Sequence, residues 1–368
     1  MNSKASIVLS AKQETVHRSW ISAFLLTLLC LVSSIASAEE KPSALKLDGD
    51  VQYTHDPSII KDGNTWYVFG TNSGPERKGE LPIRCSRDLH QWKRCGYVFP
   101  SIPEWIQKES PQTKELWAPD ISYFNGEFHL YYAFSVFGKN TSGIALVTNK
   151  TLDPASPKFH WVDRGLLLRS RTEDDFNAID PNLILDTRGD AWLSFGSFWS
   201  GIKMRRIDPK TGLLSGEDSK LYSLASRKRP ATIPPPPPGL PGNWQAIEAP
   251  FVVRHEVFYY LFVSFDLCCR GTKSNYKTMV GRSRNVTGPY ADVNGTPMLE
   301  GGGTLLLEGN HRWIGPGGAS LLQHKAGDLI VYHAYDGKTG EPWLQISTLT
   351  WEDGWPHAAV ATEPTESK

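Results

Sequence analysis

The sequence predicts an all-β fold, a five-bladed β-propeller, from three observations. A similar segment occurs five times at intervals of roughly 60 to 70 residues: a short apolar strand, a polar turn and a second strand rich in aromatic residues. Several of these second strands are apolar on both faces, as strands in stacked blades are, and no stretch shows sustained helical periodicity. The five segments begin at Asp56, Asp120, Asp180, Glu248 and Gly318. Repetition of one unit indicates blades arranged around a common axis.

Composition and charge argue against some classes of function. The chain has 368 residues, of which 40% are hydrophobic, so it can bury a substantial core. Its 39 basic and 39 acidic residues leave no net charge, which argues against a protein that binds nucleic acid. The 13 Trp, 13 Tyr and 15 Phe residues are typical of strands, and flat aromatic faces also suit sugar rings.

The N-terminus is typical of a secretory signal. Lys4, Lys12 and Arg18 precede an apolar run at residues 23–32. Small residues follow and end at Ala36-Ser37-Ala38, the order of a charged region, an apolar region and a cleavage site. The apolar run is short for a membrane span. A signal anchor that remains attached is the alternative interpretation.

The predicted domain boundary follows from that signal. Residues 1–38 are predicted to be a signal peptide, and residues 39–368 a single five-bladed catalytic propeller. The mature protein is then expected to be secreted, extracellular, monomeric and free of the membrane. The polar tail at residues 362–368 does not resemble a lipid-anchor signal.

Four cysteines remain after removal of the signal. Cys85 and Cys95 are close in sequence, and a local disulfide between them suits an oxidising compartment. Cys268 and Cys269 are adjacent and form either a vicinal disulfide or two free thiols. Paired Cys and His spacings of the zinc-binding type are absent from the sequence.

Other surface features are consistent with export. N-glycosylation sequons begin at Asn140, Asn149, Asn285 and Asn294, so the product is expected to be a glycoprotein. A proline-rich stretch at residues 233–242 reads as a loop insertion between the third and fourth repeats rather than a docking motif.

Four of the five repeats begin with an acidic residue. We interpret Asp56, Asp120, Asp180 and Glu248 as sharing one phase of the repeat, which would bring their carboxylates together near the axis. Each residue alone could be a turn or capping group. Buried together, such carboxylates acquire divergent pKa values, and one can donate a proton while another stays charged. The apolar surroundings of Glu248 favour it as the proton donor and leave Asp56 as the base.

Several longer motifs carry a resemblance to a known family. They are His55-Asp-Pro-Ser58, Leu116-Trp-Ala-Pro-Asp-Ile121, Asn177-Ala-Ile-Asp-Pro181, Gly196-Ser-Phe-Trp-Ser-Gly-Ile202, Glu248-Ala-Pro250, Cys268-Cys-Arg-Gly271, Val280-Gly-Arg-Ser283 and Gly315-Pro-Gly317. With these motifs, the chain from about residue 50 to about residue 355 resembles the endo-arabinanases of glycoside hydrolase family 43, which are five-bladed β-propellers.

The resemblance implies an inverting glycosidase mechanism. Asp56 matches the general base that activates water, and Glu248 matches the general acid that protonates the leaving oxygen. Asp180 matches a third carboxylate that raises the pKa of the acid and orients the pair. Inversion requires acid and base to stand roughly 6.5–9.5 Å apart, so that water fits between them. Asp120 has no direct chemical role in the resemblance, and we expect it to support the polar network or the strand entry.

The same resemblance implies a set of substrate contacts. They are Asp56, Gly138, Asn177, Ala178, Ile179, Asp180, Ser197, Phe198 and Trp199. Phe198 or Trp199 could form a platform for a sugar ring, and strand packing is the alternative for both.

The chain departs from the family pattern at two positions. Ala249 stands where many relatives have glycine. Gly318 stands where bacterial relatives carry a histidine that ligates a central metal, usually assigned as calcium. We therefore predict no protein metal ligand and no required cofactor, with a central calcium ion left open. His333, close in the fifth repeat, is expected to be a hydrogen-bonded strand histidine rather than a ligand.

These observations predict a secreted enzyme that hydrolyses internal α-1,5-L-arabinofuranosyl bonds of arabinan, the side chain of pectin. One alternative is an exo-acting α-L-arabinofuranosidase or a β-xylosidase. A second is a non-catalytic carbohydrate-binding propeller, which would have no need of an acid–base pair. Retaining fructan chemistry is a third, although the Asn-Asp-Pro-Asn-Gly opening of such enzymes is absent at residues 54–58.

Overall fold

A computed structural model describes residues 41–76, 78–227 and 246–362. The predicted signal peptide at residues 1–38 and the proline-rich stretch at residues 233–242 lie outside the described residues. Within the described ranges, none of the helices combines the length and the apolar character that a membrane crossing needs.

The strands of the described ranges form five sheets, each built mainly of four antiparallel strands in chain order. This arrangement confirms the predicted five-bladed β-propeller. The first blade has an additional parallel edge strand, β1, beside β5. The strands of blade 1 are β1 (Asp48–Gly49), β2 (Thr54–Asp62), β3 (Thr65–Asn72), β4 (Glu80–Ser86) and β5 (Gln91–Phe99).

A six-residue helix separates the first two blades, and the next two blades follow the same meander. These elements are helix α1 (Glu104–Glu109); β6 (Leu116–Phe124), β7 (Glu127–Phe134), β8 (Gly143–Asn149) and β9 (Val162–Arg169) in blade 2; and β10 (Asn182–Leu185), β11 (Ala191–Phe195), β12 (Ile202–Ile207) and β13 (Tyr222–Ala225) in blade 3.

Two short 3-10 helices, Gly271–Lys273 and Met298–Glu300, interrupt the fourth blade. The strands of the last two blades are β14 (Ile247–His255), β15 (Phe258–Phe265), β16 (Lys277–Ser283) and β17 (Thr304–Leu307) in blade 4, then β18 (Trp313–Leu322), β19 (Asp328–Asp336), β20 (Pro342–Glu352) and β21 (Trp355–His357) in blade 5.

The hydrophobic core lies between blades rather than in one central mass. Each of five buried clusters draws side chains from two neighbouring blades. In the cluster between blades 1 and 2, for example, Phe69 of β3 and Tyr132 of β7 are both fully buried. This location explains why the second strand of a blade is apolar on both faces, since each face contacts a neighbouring sheet.

The inner strand of four blades carries a β-bulge at the same place. The ladder to the next strand shifts register between His55 and Ser58, Trp117 and Asp120, Glu248 and Phe251, and Gly317 and Ser320. The second residue of each bulge, and its counterpart in blade 3, has a left-handed backbone, with φ of 46° at Asp56, 42° at Ala118, 56° at Asp180, 52° at Ala249 and 58° at Gly318. A bulge re-aims side chains, and non-glycine residues in this conformation concentrate at functional sites.

The bulges correct one expectation from the sequence: the four acidic residues do not share one phase. Asp56 and Asp180 occupy the same position of the repeat, the left-handed residue before a proline. Glu248 lies one residue earlier than that position, and Asp120 lies two residues later. Asp120 therefore belongs to a different level of the propeller from the other three.

That second level is a set of side chains that tie neighbouring blades together. Ser58, Asp120 and Asn182 occupy equivalent positions, and each accepts a hydrogen bond from a backbone N–H of the next blade. The three contacts are Ile121 N to Ser58 Oγ at 3.1 Å, Leu183 N to Asp120 Oδ2 at 2.8 Å and Val252 N to Asn182 Oδ1 at 2.8 Å. Asp120 thus has the supporting role in the polar network that was expected of it.

The N-terminal segment closes the ring between blades 5 and 1. Leu45 N donates to Ile346 O at 2.8 Å, and Leu344 N donates to Val51 O at 2.9 Å, so the segment runs along β20. Its strand β1 pairs with β5 of the first blade. One segment therefore bonds to the first and the last blade at once.

Both cysteine pairs are disulfides. Cys85 of β4 is bonded to Cys95 of β5, as expected for a local bridge. Cys268 and Cys269 are bonded to each other just after β15, so the vicinal disulfide is the alternative that the structure contains.

Candidate active site

A groove crosses the end of the propeller where the inner strands begin. Its volume is about 700 Å³, and all five blades contribute to its lining. Asp56 of blade 1, Asp180 of blade 3 and Glu248 of blade 4 all line it. The structure therefore brings together the three carboxylates that the sequence singled out for chemistry, and leaves Asp120 outside the groove.

Asp56 is held as a charged carboxylate. His55 Nδ1 lies 2.9 Å from Asp56 Oδ2, and the Thr71 hydroxyl donates to the same oxygen at 2.9 Å. Burial opposes the charge of Asp56, but His55, His333 and Thr71 outweigh that effect and lower its pKa to about 2. The side chain is 21% exposed, toward the groove. An ionised, partly accessible carboxylate is suited to accept a proton from water.

Glu248 has the opposite bias. Burial raises its pKa, whereas hydrogen bonds from the Ser197 and Tyr276 hydroxyls act against that rise, and the charge of Asp56 adds to it. Ser197 Oγ lies 2.6 Å from Glu248 Oε2. Glu248 is thus held through its Oε2 atom and biased toward its protonated form, as a proton donor requires.

Asp180 is coupled to Glu248 by charge and by the backbone. The N–H of Ala249, the residue after Glu248, donates to Asp180 Oδ2 at 3.1 Å. Burial, together with the negative charges of Glu248 and Asp56, raises the pKa of Asp180 well above its ordinary value. Two neighbouring buried carboxylates cannot both ionise easily, so this pair retains a proton at pH values where an isolated carboxylate has lost it.

The predicted substrate contacts separate into two groups. Eight of the nine line the groove: Asp56, Gly138, Asn177, Ile179, Asp180, Ser197, Phe198 and Trp199. Ala178 does not line it, because its methyl group is fully buried in the core between blades 2 and 3. Along an extended chain, neighbouring side chains point to opposite sides, so a residue between two groove residues faces inward.

Aromatic groove residues were missed by the sequence reasoning. Trp117 and Phe137 both line the groove, and the side chain of Phe137 is 77% exposed. An exposed aromatic ring in the groove wall offers a flat, largely apolar face against which a sugar ring can pack. The available signal was the position of Phe137 directly before the predicted contact Gly138.

A chain of contacts behind Asp56 was also missed. His55 Nε2 lies 2.7 Å from Tyr335 Oη, and Tyr335 Oη accepts a hydrogen bond from Cys269 N at 2.7 Å. Tyr335 and Cys269 come from different blades, and no local sequence pattern links them to His55. We term Cys269, Tyr335 and His55 the base-support chain.

His55, Asp56 and His333 are close enough to be considered as ligands of one metal ion. Both nitrogens of His55 and one nitrogen of His333 are, however, already paired. His55 faces Asp56 through Nδ1 and Tyr335 through Nε2, and His333 Nδ1 accepts the Asp56 N–H at 3.2 Å. Within the described residues, His333 Nε2 is buried without a hydrogen-bond partner, which leaves one histidine nitrogen of the group for an ion. The two imidazoles are also stacked, with ring centroids 3.6 Å apart. These residues therefore do not fit a chelating metal site.

The position of Gly318 explains this packing. A Cβ atom at Gly318 would lie 2.8 Å from Asp56 Oδ1 and 3.0 Å from the His333 ring. A side chain at this position would require His333 or Asp56 to move. His333 is fully buried, and its pKa is held well below the ordinary value by burial and by His55, which suits a neutral, hydrogen-bonded strand histidine as the sequence predicted.

Comparison with known proteins identifies a family that covers nearly all the described chain. The glycosyl hydrolases family 43 profile matches residues 51–356. One similar protein is the extracellular endo-alpha-(1->5)-L-arabinanase 1 of Bacillus subtilis, 42% identical over 304 residues, which are 82% of this chain and 86% of the relative.

Two further relatives bear on mode of action. The extracellular exo-alpha-(1->5)-L-arabinofuranosidase ArbA of Cellvibrio japonicus is 40% identical over 344 residues, 92% of either chain. The solved structure of a Cellvibrio cellulosa alpha-L-arabinanase complexed with arabinohexaose is 39% identical, with a TM-score of 0.76 over 84% of this chain and 96% of that one.

Proposed function

The chain belongs to glycosyl hydrolases family 43 and is a glycosidase of the arabinanase type, and from that premise we propose that it cleaves internal α-1,5-L-arabinofuranosyl bonds of arabinan after secretion. The observation that carries the proposal is the convergence of Asp56, Asp180 and Glu248 on one large groove with opposite protonation biases.

Asp56 is the proposed general base. Its low pKa keeps it ionised, and it accepts a proton from a water molecule that attacks the anomeric carbon. The attack passes through an oxocarbenium-like transition state and inverts the configuration. His55 and Thr71 hold the base oxygen that they share, which leaves the other oxygen, Oδ1, directed toward the axis and Gly318.

Glu248 is the proposed general acid, and Asp180 its modulator. Glu248 donates its proton to the departing glycosidic oxygen as the bond breaks. A second carboxylate close to Glu248 makes ionisation of Glu248 less favourable, so Glu248 keeps its proton until the glycosidic bond breaks. The hydrogen bond from Ala249 N–H to Asp180 holds the backbone beside Glu248 next to this second carboxylate. Substrate contacts are proposed for Gly138, Asn177, Ile179, Ser197, Phe198 and Trp199.

Internal cleavage is the mode named for the Bacillus subtilis relative. The groove of about 700 Å³ falls within the range of about 300–1,000 Å³ that is common for ligand pockets, so the proposal of internal cleavage rests on that relative rather than on groove size. Exo action remains the competing proposal, because one relative of comparable identity is named an exo-acting arabinofuranosidase. A purely carbohydrate-binding role is disfavoured by the pairing of an ionised and a protonated carboxylate in one groove.

The test is product size at early times on linear, debranched arabinan. Endo action predicts a rapid fall in viscosity and a mixture of short oligosaccharides, whereas arabinose or one fixed oligosaccharide from the start would overturn it. ¹H NMR of the first product should show the β anomer, as inversion of an α-linked substrate requires.

Secretion rests on the N-terminal pattern and on relatives named as extracellular. N-terminal sequencing of the product exported by the native host should begin at Glu39. A product that retains the first 38 residues would favour the signal-anchor alternative.

A further inference from the structure

We propose that the vicinal disulfide Cys268–Cys269 and Tyr335 are positioning elements for the catalytic base, because together they hold His55 in the orientation that fixes Asp56. This inference rests on the proposed function, since it takes Asp56 to be the base. It adds to that function a dependence of the reaction on the oxidation state of a disulfide in the groove wall.

The base-support chain is continuous from the vicinal disulfide to the catalytic base. The Cys269 N–H donates to Tyr335 Oη at 2.7 Å, Tyr335 Oη lies 2.7 Å from His55 Nε2, and His55 Nδ1 lies 2.9 Å from Asp56 Oδ2. Because the Tyr335 oxygen accepts from Cys269, its own proton can be donated to Nε2 of a neutral His55. That bond selects the imidazole tautomer with its proton on Nδ1, and this proton then faces Asp56. Burial lowers the pKa of His55, but Asp56 outweighs burial and raises it above the ordinary value. In the imidazolium form Nε2–H donates to Tyr335 instead, and the ring keeps the same orientation.

Burial makes the hydrogen bonds of the base-support chain difficult to replace. His55 and Tyr335 are nearly inaccessible, with exposures of 9% and 2%. Water therefore cannot readily replace a lost partner in this region. A buried imidazole that loses the hydrogen bond at Nε2 is no longer held in one tautomer and one orientation.

The vicinal disulfide anchors the base-support chain at Cys269. Cys269 has a left-handed backbone, with φ of 61°, a conformation that non-glycine residues rarely adopt. A disulfide between adjacent residues closes an eight-membered ring around their peptide bond, which restricts the backbone of both. Leu267 N donates to Asn275 Oδ1 at 3.0 Å, and Arg270 N donates to Ser274 Oγ at 3.1 Å, so the loop is fixed on both sides of the disulfide.

The vicinal disulfide is accessible from the groove. Cys268 and Cys269 both line the groove, where Cys268 is half-buried and Cys269 is exposed. A small dithiol can reach the sulfur atoms by thiolate attack: the Cys268–Cys269 bond breaks, two cysteine thiols form and the dithiol is oxidised to its cyclic disulfide. Without the ring, Cys269 can leave the left-handed conformation, and its N–H then moves away from Tyr335.

The expected consequence is a change in the titration of Asp56. The ionisable groups that face Asp56 come from several blades: His55 on its own strand, His333 and Tyr335 on β19, Asp180, Glu248 and Tyr276. Among them, His55 and His333 stabilise the carboxylate, whereas Asp180 and Glu248 disfavour it. A loosened His55 shifts this balance against ionisation, so the pKa of Asp56 rises and the acid limb of kcat/KM moves to higher pH.

The first test is Tyr335→Phe, which removes only the hydroxyl. We expect kcat to fall about 10- to 100-fold with KM nearly unchanged, and the acid limb to move to higher pH. Tyr290→Phe is the matched control, because its buried hydroxyl bonds only to Val286 O, at 2.7 Å, away from the groove. A Tyr335→Phe enzyme with a wild-type acid limb would overturn the positioning role, whatever its kcat.

The second test isolates the disulfide. In a Cys85→Ala/Cys95→Ala enzyme the vicinal pair is the remaining disulfide of the described chain, and thiol titration after treatment with dithiothreitol reports its reduction. We expect reduction to lower kcat and to shift the acid limb as Tyr335→Phe does, and reoxidation to reverse both. Full reduction of the vicinal disulfide with an unchanged kcat and an unchanged acid limb would overturn its positioning role.

A third measurement does not depend on activity. In ¹⁵N NMR spectra of imidazole-labelled protein, recorded at a pH above the titration of His55, this residue should be the Nδ1–H tautomer in the oxidised enzyme and should lose that single tautomer on reduction or in Tyr335→Phe. An unaltered His55 signal in both samples contradicts the inference. If the wild-type enzyme fails to hydrolyse arabinan, the proposed function fails instead. The NMR result still shows whether the base-support chain holds His55.

Discussion

The backbone N–H of Ala249 donates a hydrogen bond to Asp180 Oδ2 at 3.1 Å, so the residue next to the proposed acid is tied to the carboxylate that modulates it. The contact joins blades 3 and 4 at the groove, and it sets how strongly two buried negative charges influence each other. The protonation of Glu248 is therefore a property of the pair.

Asp180→Asn should move the basic limb of the pH profile to lower pH. Asp180 and Glu248 disfavour each other's ionisation, and the amide removes one charge while retaining an acceptor for the Ala249 N–H. The pKa of Glu248 then falls, and kcat falls with it. The measurement is kcat/KM between pH 4 and 9. A basic limb at its wild-type position would remove Asp180 from that role.

Glu248→Gln should abolish hydrolysis of arabinan but retain binding of arabino-oligosaccharides. Loss of a general acid commonly costs about 10²–10⁴ in rate. An aryl arabinofuranoside with a good leaving group needs little protonation, so its hydrolysis should suffer much less. Calorimetry measures the binding of arabino-oligosaccharides. Initial rates on arabinan and on the aryl arabinofuranoside measure the loss of activity on each substrate. Equal losses on both substrates would contradict proton donation by Glu248.

Trp199→Ala tests whether this half-buried side chain is a platform for a sugar ring or a packing residue. As a platform, its loss should raise KM for arabino-oligosaccharides about tenfold, on the order of 1.4 kcal/mol, with little change in melting temperature. Trp199→Phe should recover part of the affinity, because it restores an aromatic face. A lowered melting temperature with unchanged KM would instead identify a packing role.

Asp120→Asn should change the pH dependence of stability and leave kcat within about twofold. Burial raises the pKa of Asp120 to about 6, although hydrogen bonds from Leu183 N, Asn182 and Ser58 oppose the rise. The stability associated with a raised folded-state pKa is complete below pH about 4 and is lost as pH rises through 6, on the order of 1–3 kcal/mol.

The measurement is urea unfolding of both proteins between pH 4 and 7. The wild-type free energy of unfolding should decline across this window more than that of the Asp120→Asn variant. Asp353→Asn, in an exposed turn, serves as a control and should retain the wild-type decline. Parallel curves for wild type and Asp120→Asn would contradict the raised pKa.

Treatment with EDTA should leave activity and melting temperature unchanged. The nitrogen lone pairs of His55 and the Nδ1 of His333 are committed to protein partners, and Gly318 offers no side chain. Elemental analysis of the purified protein should find no stoichiometric divalent ion. A stoichiometric metal whose removal lowers kcat would show that the two histidines rearrange around it.

The number of blades could be predicted from the repeated strand pattern, and the three groove carboxylates from that pattern together with the motifs of the family resemblance. The register of the acidic residues was predicted wrongly, since one inserted residue in a bulge changes which side chain faces the axis. The signal was present in the dipeptides Asp56-Pro57, Ala118-Pro119, Asp180-Pro181 and Ala249-Pro250. Alignment on those prolines, rather than on the acids, separates Asp120 from Asp56 and Asp180.

The contacts that depend on tertiary packing were beyond sequence reasoning. Tyr335, Cys269 and His55 lie in three separate parts of the chain, and their contact follows only from the angle between blades. Ala178 was predicted as a substrate contact because the family resemblance implies the whole segment at residues 177–180, and the inward direction of its buried side chain excludes a side-chain contact.

The segment that bonds to both β20 and β5 has a consequence for biosynthesis. The last strands of the fifth blade emerge from the ribosome long after residues 43–52, so the first residues of the domain wait for partners that do not yet exist. Sealing of the propeller is therefore a late event that needs the completed polypeptide. Deletion of those ten residues should leave each sheet able to form and the circle open, with the exposed edge of β20 prone to aggregation.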